Sequence, residues 1–131
     1  MTREARKLSV AINRPADAAY DVLSVPENFP KWASGLGAAL QQVDGEWLMR
    51  TPQGPARVRF SERNAFGVLD HSVIRPDGTG VYVPLRVVPK GDGCELVFTL
   101  VRGPGVSDEK FAADAEWVMR DLQAAKRLLE R

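Results

Sequence analysis

Residues 107–131 read SDEKFAADAEWVMRDLQAAKRLLER, and the fold of the rest of the chain follows from how this stretch is placed. Phe111, Ala115, Val118, Leu122, Ala125 and Leu129 recur at steps of four and three, which sets them along one face of a helix. Ser107 is placed to cap the start, with Asp108 and Glu109 in the first turn and Lys126, Arg127 and Arg131 near the end. That polarity suits the helix dipole. A helix of about 24 residues spans roughly 36 Å at 1.5 Å per residue. Carrying a single apolar stripe, it needs a long apolar partner, and only the strand-rich middle of the chain can supply one.

Working outward, Gly103-Pro104-Gly105 is a hinge into this helix. Before it, strands alternate with short turns: 40–43, 46–51, 56–64, 66–75, 80–89 and 94–102. Asp44-Gly45 is a two-residue hairpin signal, and Pro52-Gln53-Gly54-Pro55, Pro76-Asp77-Gly78-Thr79 and Lys90-Gly91-Asp92-Gly93 are turns. Consecutive strands joined this way form an antiparallel meander. Leu8, Val10 and Ile12 alternate with polar neighbours and mark a further strand at 7–13. Pro15 then opens a short helix with Ala16, Ala19, Tyr20 and Leu23 at helical spacing. Pro26 ends it, and a second short helix follows over 27–34, anchored by Phe29 and Trp32 and closed by Gly35 and Gly37. The plan is α+β: about seven strands in one curved antiparallel sheet, two short helices after the first strand, and the long helix laid across the sheet. The apolar faces Val81, Val83, Leu85, Val87 and Leu96, Phe98, Leu100 are expected to meet its stripe.

Composition narrows the function classes. Eighteen Lys and Arg stand against seventeen Asp and Glu, a net charge of +1, which argues against a nucleic-acid surface. Cys94 is the only cysteine and His71 the only histidine, so no intrachain disulfide, Cys-based zinc cluster or His-rich metal site is expected, and no cofactor. No apolar run approaches the roughly 20 residues a membrane span needs, and the N-terminus lacks the apolar core of a signal peptide. A cytoplasmic protein is the expectation.

The element order resembles the START-related helix-grip superfamily (SRPBCC, the polyketide cyclase/dehydrase and lipid transport superfamily). The resemblance covers residues 1–131 as one domain. It is carried locally by Ile12-Asn13-Arg14-Pro15-Ala16-Asp17 leading into Tyr20-Asp21-Val22-Leu23, and by Pro26-Glu27-Asn28-Phe29-Pro30-Lys31-Trp32. The latter is similar to the family's D-x-x-N-x-P-x-W junction, with Ser24 or Val25 where Asp is usual. Phe66-Gly67-Val68-Leu69-Asp70-His71 is similar to a subgroup of uncharacterised bacterial members with no assigned reaction. The resemblance implies an interior between sheet, short helices and long helix that members use for lipids, sterols, polyketides, plant hormones or aromatic groups. Some members are cyclases and many only carry a ligand, so fold leaves function open.

Candidate site residues follow from that interior. The sheet offers Val83, Leu85, Arg86 and Phe98; the helices offer Phe29, Trp32, Trp117 and Val118. In the family's geometry Phe29 and Trp32 lie near the pocket mouth. Trp117 flanks the stripe and either borders the cavity or contributes to a homodimer face. Asp70 and His71 are the catalytic candidates, since His titrates near neutrality and a carboxylate can orient it. Neighbours on a strand point to opposite faces, so at most one reaches the interior. Asp70 does if Val68, Ser72 and Ile74 face in; His71 does if Leu69 and Val73 face in. Arg86 is expected opposite Leu69 or Asp70, forming either a buried ion pair with Asp70 or a surface cross-strand pair. Cys94 has no evident base and reads as inert. Three functions remain: binding of a small hydrophobic or aromatic molecule between sheet and long helix, a cyclase- or lyase-like enzyme using Asp70 or His71 for proton transfer, and a ligand-free protein interaction domain.

Overall fold

A computed structural model describes residues 4–33, 40–51 and 54–131. Strand β1 (Ala5–Ile12) leads into helix α1 (Ala16–Leu23), then a 3-10 turn at Pro26–Lys31. Strands β2 (Gln41–Val43), β3 (Glu46–Thr51), β4 (Gly54–Phe60), β5 (His71–Ile74), β6 (Gly80–Val83), β7 (Leu85–Lys90) and β8 (Gly93–Val101) follow, and α2 (Asp108–Leu129) ends the order. Among the described residues these eight strands form two antiparallel sheets, β1-β8-β7 and β2-β3-β4-β5-β6. Architecture and element order are those of a helix-grip fold. The expected end of the second short helix at 34, the glycines Gly35 and Gly37, and Pro52-Gln53 lie outside the described residues.

Three differences from the sequence expectation have local causes. The second short helix is a 3-10 turn, because Pro30 inside a six-residue segment removes an amide donor. The strand expected over 80–89 breaks at Pro84 into β6 and β7, which belong to different sheets. Proline gives no N–H to a ladder, and Pro84 instead uses its carbonyl, accepting from Thr99 N at 3.0 Å. The strands expected over 56–64 and 66–75 are cut short, at Phe60 and to His71, by an irregular segment between them. Asn64 braces that segment: its Oδ1 accepts from Phe66 N at 2.9 Å and Val68 N at 3.1 Å, while its Nδ2 donates to Val68 O at 2.9 Å. Gly67 turns there at φ +72°, where a Cβ would stand 2.4 Å from Val87 O.

The segment 67–69 joins the two sheets. Leu69 N donates to Leu85 O at 2.8 Å and Val87 N to Gly67 O at 2.9 Å, with Val68 opposite Arg86. Arg86 therefore faces neither Leu69 nor Asp70 directly; the irregular segment shifts the register from the one a continuous hairpin would give.

Helix α2 begins as its sequence dictates, with Ser107 Oγ accepting from Lys110 N at 3.1 Å. Phe111, Ala115, Leu122, Ala125 and Leu129 are buried, and α2 packs chiefly on β1. Both ends are fixed. Arg102 bonds Val106 O, pairs with Glu4 and Asp108, and lies over the Phe111 ring. At the other end Lys126 Nζ donates to Ala11 O at 2.7 Å, and Asn13 N donates to Glu130 Oε2 at 2.7 Å. Lys126 thus occupies a carbonyl of β1 on its edge, and Glu130 takes up the amide just past the end of that strand. The main apolar cluster joins α1, the 3-10 turn, α2 and the inner faces of β1, β7 and β8. A smaller one holds Met49, Ala56, Val58 and Val73, and Phe60 and Leu40 pack against both.

Candidate functional site

Strand β5 opens at His71, and its alternation decides the question the sequence left open. Leu69, His71 and Val73 are buried in step, so His71 faces the interior. Its Cα partners are Phe60 on β4 and Val83 on β6. Phe29 stands between His71 and Trp32, edge-on to both, with ring centroids at 5.3 Å and 5.1 Å. Phe60 closes the cluster at 5.4 Å from Phe29 and 6.0 Å from His71. With Tyr20, Leu23, Leu69 and Leu85 these residues line a nook of about 20 Å³, which meets the surface at Ser24 and Ser61.

Two polar atoms in this apolar setting have no partner. His71 Nε2 and Trp32 Nε1 are shielded from solvent and make no hydrogen bond. The other ring nitrogen of His71, Nδ1, lies 3.1 Å from Leu69 O. A carbonyl oxygen only accepts, so Nδ1 carries the proton and Nε2 presents a lone pair. Burial pushes the His71 pKa below its ordinary value, against the smaller upward pulls of Leu69 O and the Asp70 charge. The imidazole is neutral, with its acceptor turned inward. Trp32 can only donate.

Asp70 is also buried, at 3% exposure, but points the other way. Its Oδ1 accepts from Leu85 N at 2.9 Å and Arg86 Nε at 3.2 Å; its Oδ2 accepts from Arg86 Nη2 at 2.9 Å and Tyr82 Oη at 2.5 Å. Burial raises its pKa, but the bonds from Arg86, Tyr82 and Leu85 outweigh it and hold the carboxyl below its usual value. The ion pair is neither of the two forms expected. Its carboxylate is buried, whereas the Arg86 side chain is half exposed. Asp70 pins the strand on both sides of Pro84 and leaves no acceptor position free for a guest.

The mouth is crossed by polar contacts. Arg63 pairs with Asp21 on α1, donates to Ser24 Oγ at 3.1 Å, and lies over the Tyr20 ring. Asn64 N donates to Tyr20 Oη at 2.8 Å.

Of the residues the sequence singled out, Phe29, Trp32, Leu85 and His71 line one nook. Val83 is buried beside it as the Cα partner of His71, and Phe98 and Val118 pack on the main cluster. Arg86 lies with Asp70, and Trp117 is half exposed on α2. Cys94 is buried, which pushes its thiol pKa up. Phe60, Leu69 and Ser61 were not singled out. Phe60 could have been found only by pairing it with His71, which the irregular 61–70 segment hides. Larger recesses lie elsewhere: about 850 Å³ beside Arg6, Leu8, Met119 and Arg120 between β1 and α2, and about 370 Å³ between α1 and the 63–67 loop. Neither is lined by Trp32 or His71. Among the described residues no helix is long and apolar enough to cross a membrane, and no His, Cys, Asp and Glu side chains cluster as a metal site.

Comparison with solved structures finds the same fold at low identity. An uncharacterised protein from Bacillus thuringiensis matches with TM-score 0.74 and 12% identity, over 98% of this chain and 100% of that one. The Aha1 protein of Colwellia psychrerythraea, solved as a dimer, gives 0.71 and 13%, over 97% and 96%. The Zhui aromatase/cyclase from Streptomyces sp. R1128 gives 0.68 and 14%, over 99% and 95%. These likenesses concern the fold. No curated protein matches the sequence. The model of the family described as polyketide cyclase / dehydrase and lipid transport matches residues 6–131, and the chain belongs to that family.

Proposed function

We propose that the chain binds a small hydrophobic, aromatic molecule at the ring-lined nook between the sheet, the 3-10 turn and α1. The observation that carries this reading is the pair of unpartnered atoms, His71 Nε2 and Trp32 Nε1, within a lining that is mostly apolar apart from Ser24, Ser61 and the Tyr20 hydroxyl. A buried polar group without a partner costs of order 1–3 kcal/mol, so two in one nook call for something that meets them. Edge-on rings around Phe29 suit a flat guest. The nook as it stands has room for about one water. A guest therefore enters by parting the 61–64 segment from α1, where the exposed Arg63–Asp21 pair is a weak closure. Native mass spectrometry of gently purified protein tests the reading. A one-to-one mass excess, or one acquired on adding phenol or indole, is expected; a bare chain under both conditions contradicts it.

Proton transfer at the same place is a second reading, favoured by the free lone pair on His71 Nε2. It assigns the base to His71 alone, because Asp70 is fully engaged on the opposite face. A bare chain in mass spectrometry would instead favour an interaction domain, for which Phe66, at 82% exposure, is the most prominent apolar side chain.

A further inference from the structure

Resting on the binding reading above, the hydrogen-bonding state of the two nook residues limits what the guest can be. Leu69 O fixes the proton of His71 on Nδ1, so Nε2 needs a donor. Trp32 Nε1–H needs an acceptor. We infer that the guest carries a neutral hydroxyl, phenolic or alcoholic, which donates to His71 Nε2, while Trp32 Nε1 takes an oxygen acceptor of the guest.

Other polar ends fail on one count or the other. A carboxylate would set its lone pairs against that of His71, and relief by protonating the imidazole is opposed by burial. A ketone or ether meets Trp32 and leaves His71 bare. A hydrocarbon leaves both bare. An ammonium would satisfy His71 but bring an uncompensated charge inside, since Asp70, the buried carboxylate nearest in sequence, faces Arg86 and Tyr82.

Phenol and toluene, nearly the same shape with OH in place of CH3, separate these cases. Binding to the full chain is followed by the Trp32 indole N–H resonance, assigned by its loss in Trp32→Phe. Phenol is expected to bind about five-fold or more tighter than toluene, although toluene is the more apolar, and benzoate more weakly than phenol. His71→Phe is expected to cut the preference for phenol sharply, and an unchanged preference overturns the role given to His71. Toluene binding as tightly as phenol overturns the hydroxyl inference and leaves the binding reading standing. If neither compound binds, the binding reading itself fails. Should His71→Phe not fold, the order of phenol, toluene and benzoate on the unaltered chain decides the matter.

Discussion

His71 is neutral in the fold and held so by burial, which ties stability to pH in a defined direction. Its ordinary pKa is 6.5, and in the folded chain it is lower. Below about 6.5 the unfolded chain takes up a proton that the folded chain does not, so stability falls as pH falls, by at most about 1.4 kcal/mol per pH unit. Above that pH the contribution is constant. Urea midpoints for the unaltered chain are expected to drop between pH 7 and 5, and the His71→Phe midpoint to stay flatter over that range. Asp70 acts in a separate, lower window: its pKa is held below 3.8, so its contribution persists above that value and is lost as pH falls through the folded pKa. Replacing Asp70 with Ala would leave Leu85 N, buried at 1% exposure, without an acceptor. Arg86 and Tyr82 are exposed enough to find water. The expected cost is about 2–3 kcal/mol, measured by urea unfolding at pH 7. A value near zero would mean that the carboxylate does not hold the strand at Pro84.

Among the elements, the irregular 61–70 segment does two jobs. It ties the two sheets together through Gly67 and Leu69, and it closes the nook through Arg63 and Asn64. Arg63→Ala is expected to speed association of phenol about two-fold or more, with little change in thermal stability, because exposed pairs hold weakly. Stopped-flow association rates with and without the substitution check this. Unchanged rates would place the entrance elsewhere. This segment is also where sequence reading fell short. The long helix could be read from Phe111 to Leu129 because the stripe, the Ser107 cap and the end charges agree. The meander could be read from its turn residues. Nothing periodic marks 61–70, where Asn64 side-chain bonds replace a ladder, so the register beyond it slipped and Arg86 was set opposite the wrong residue. Pro84 did carry a visible signal, a missing donor within an expected strand. The inward choice between Asp70 and His71 was hidden because both alternating sets are equally apolar; the structure resolves it by burying both and turning them apart.

Across the whole molecule, α2 is anchored to β1 at both ends and seals the main cluster, while the proposed guest site lies at the seam where Phe60 touches both apolar clusters. Guest binding is therefore expected to involve the seam between the two sheets and not the face of α2 that carries Trp117, which is half exposed. Nuclear Overhauser contacts between phenol and the protein test this most directly, since they report place independently of affinity. The account predicts contacts from the phenol ring to Phe29, Trp32, Phe60 and His71 together. Contacts confined to Phe66 or Trp117 on the outer surface, or to Leu8 and Met119 beside α2, would contradict it.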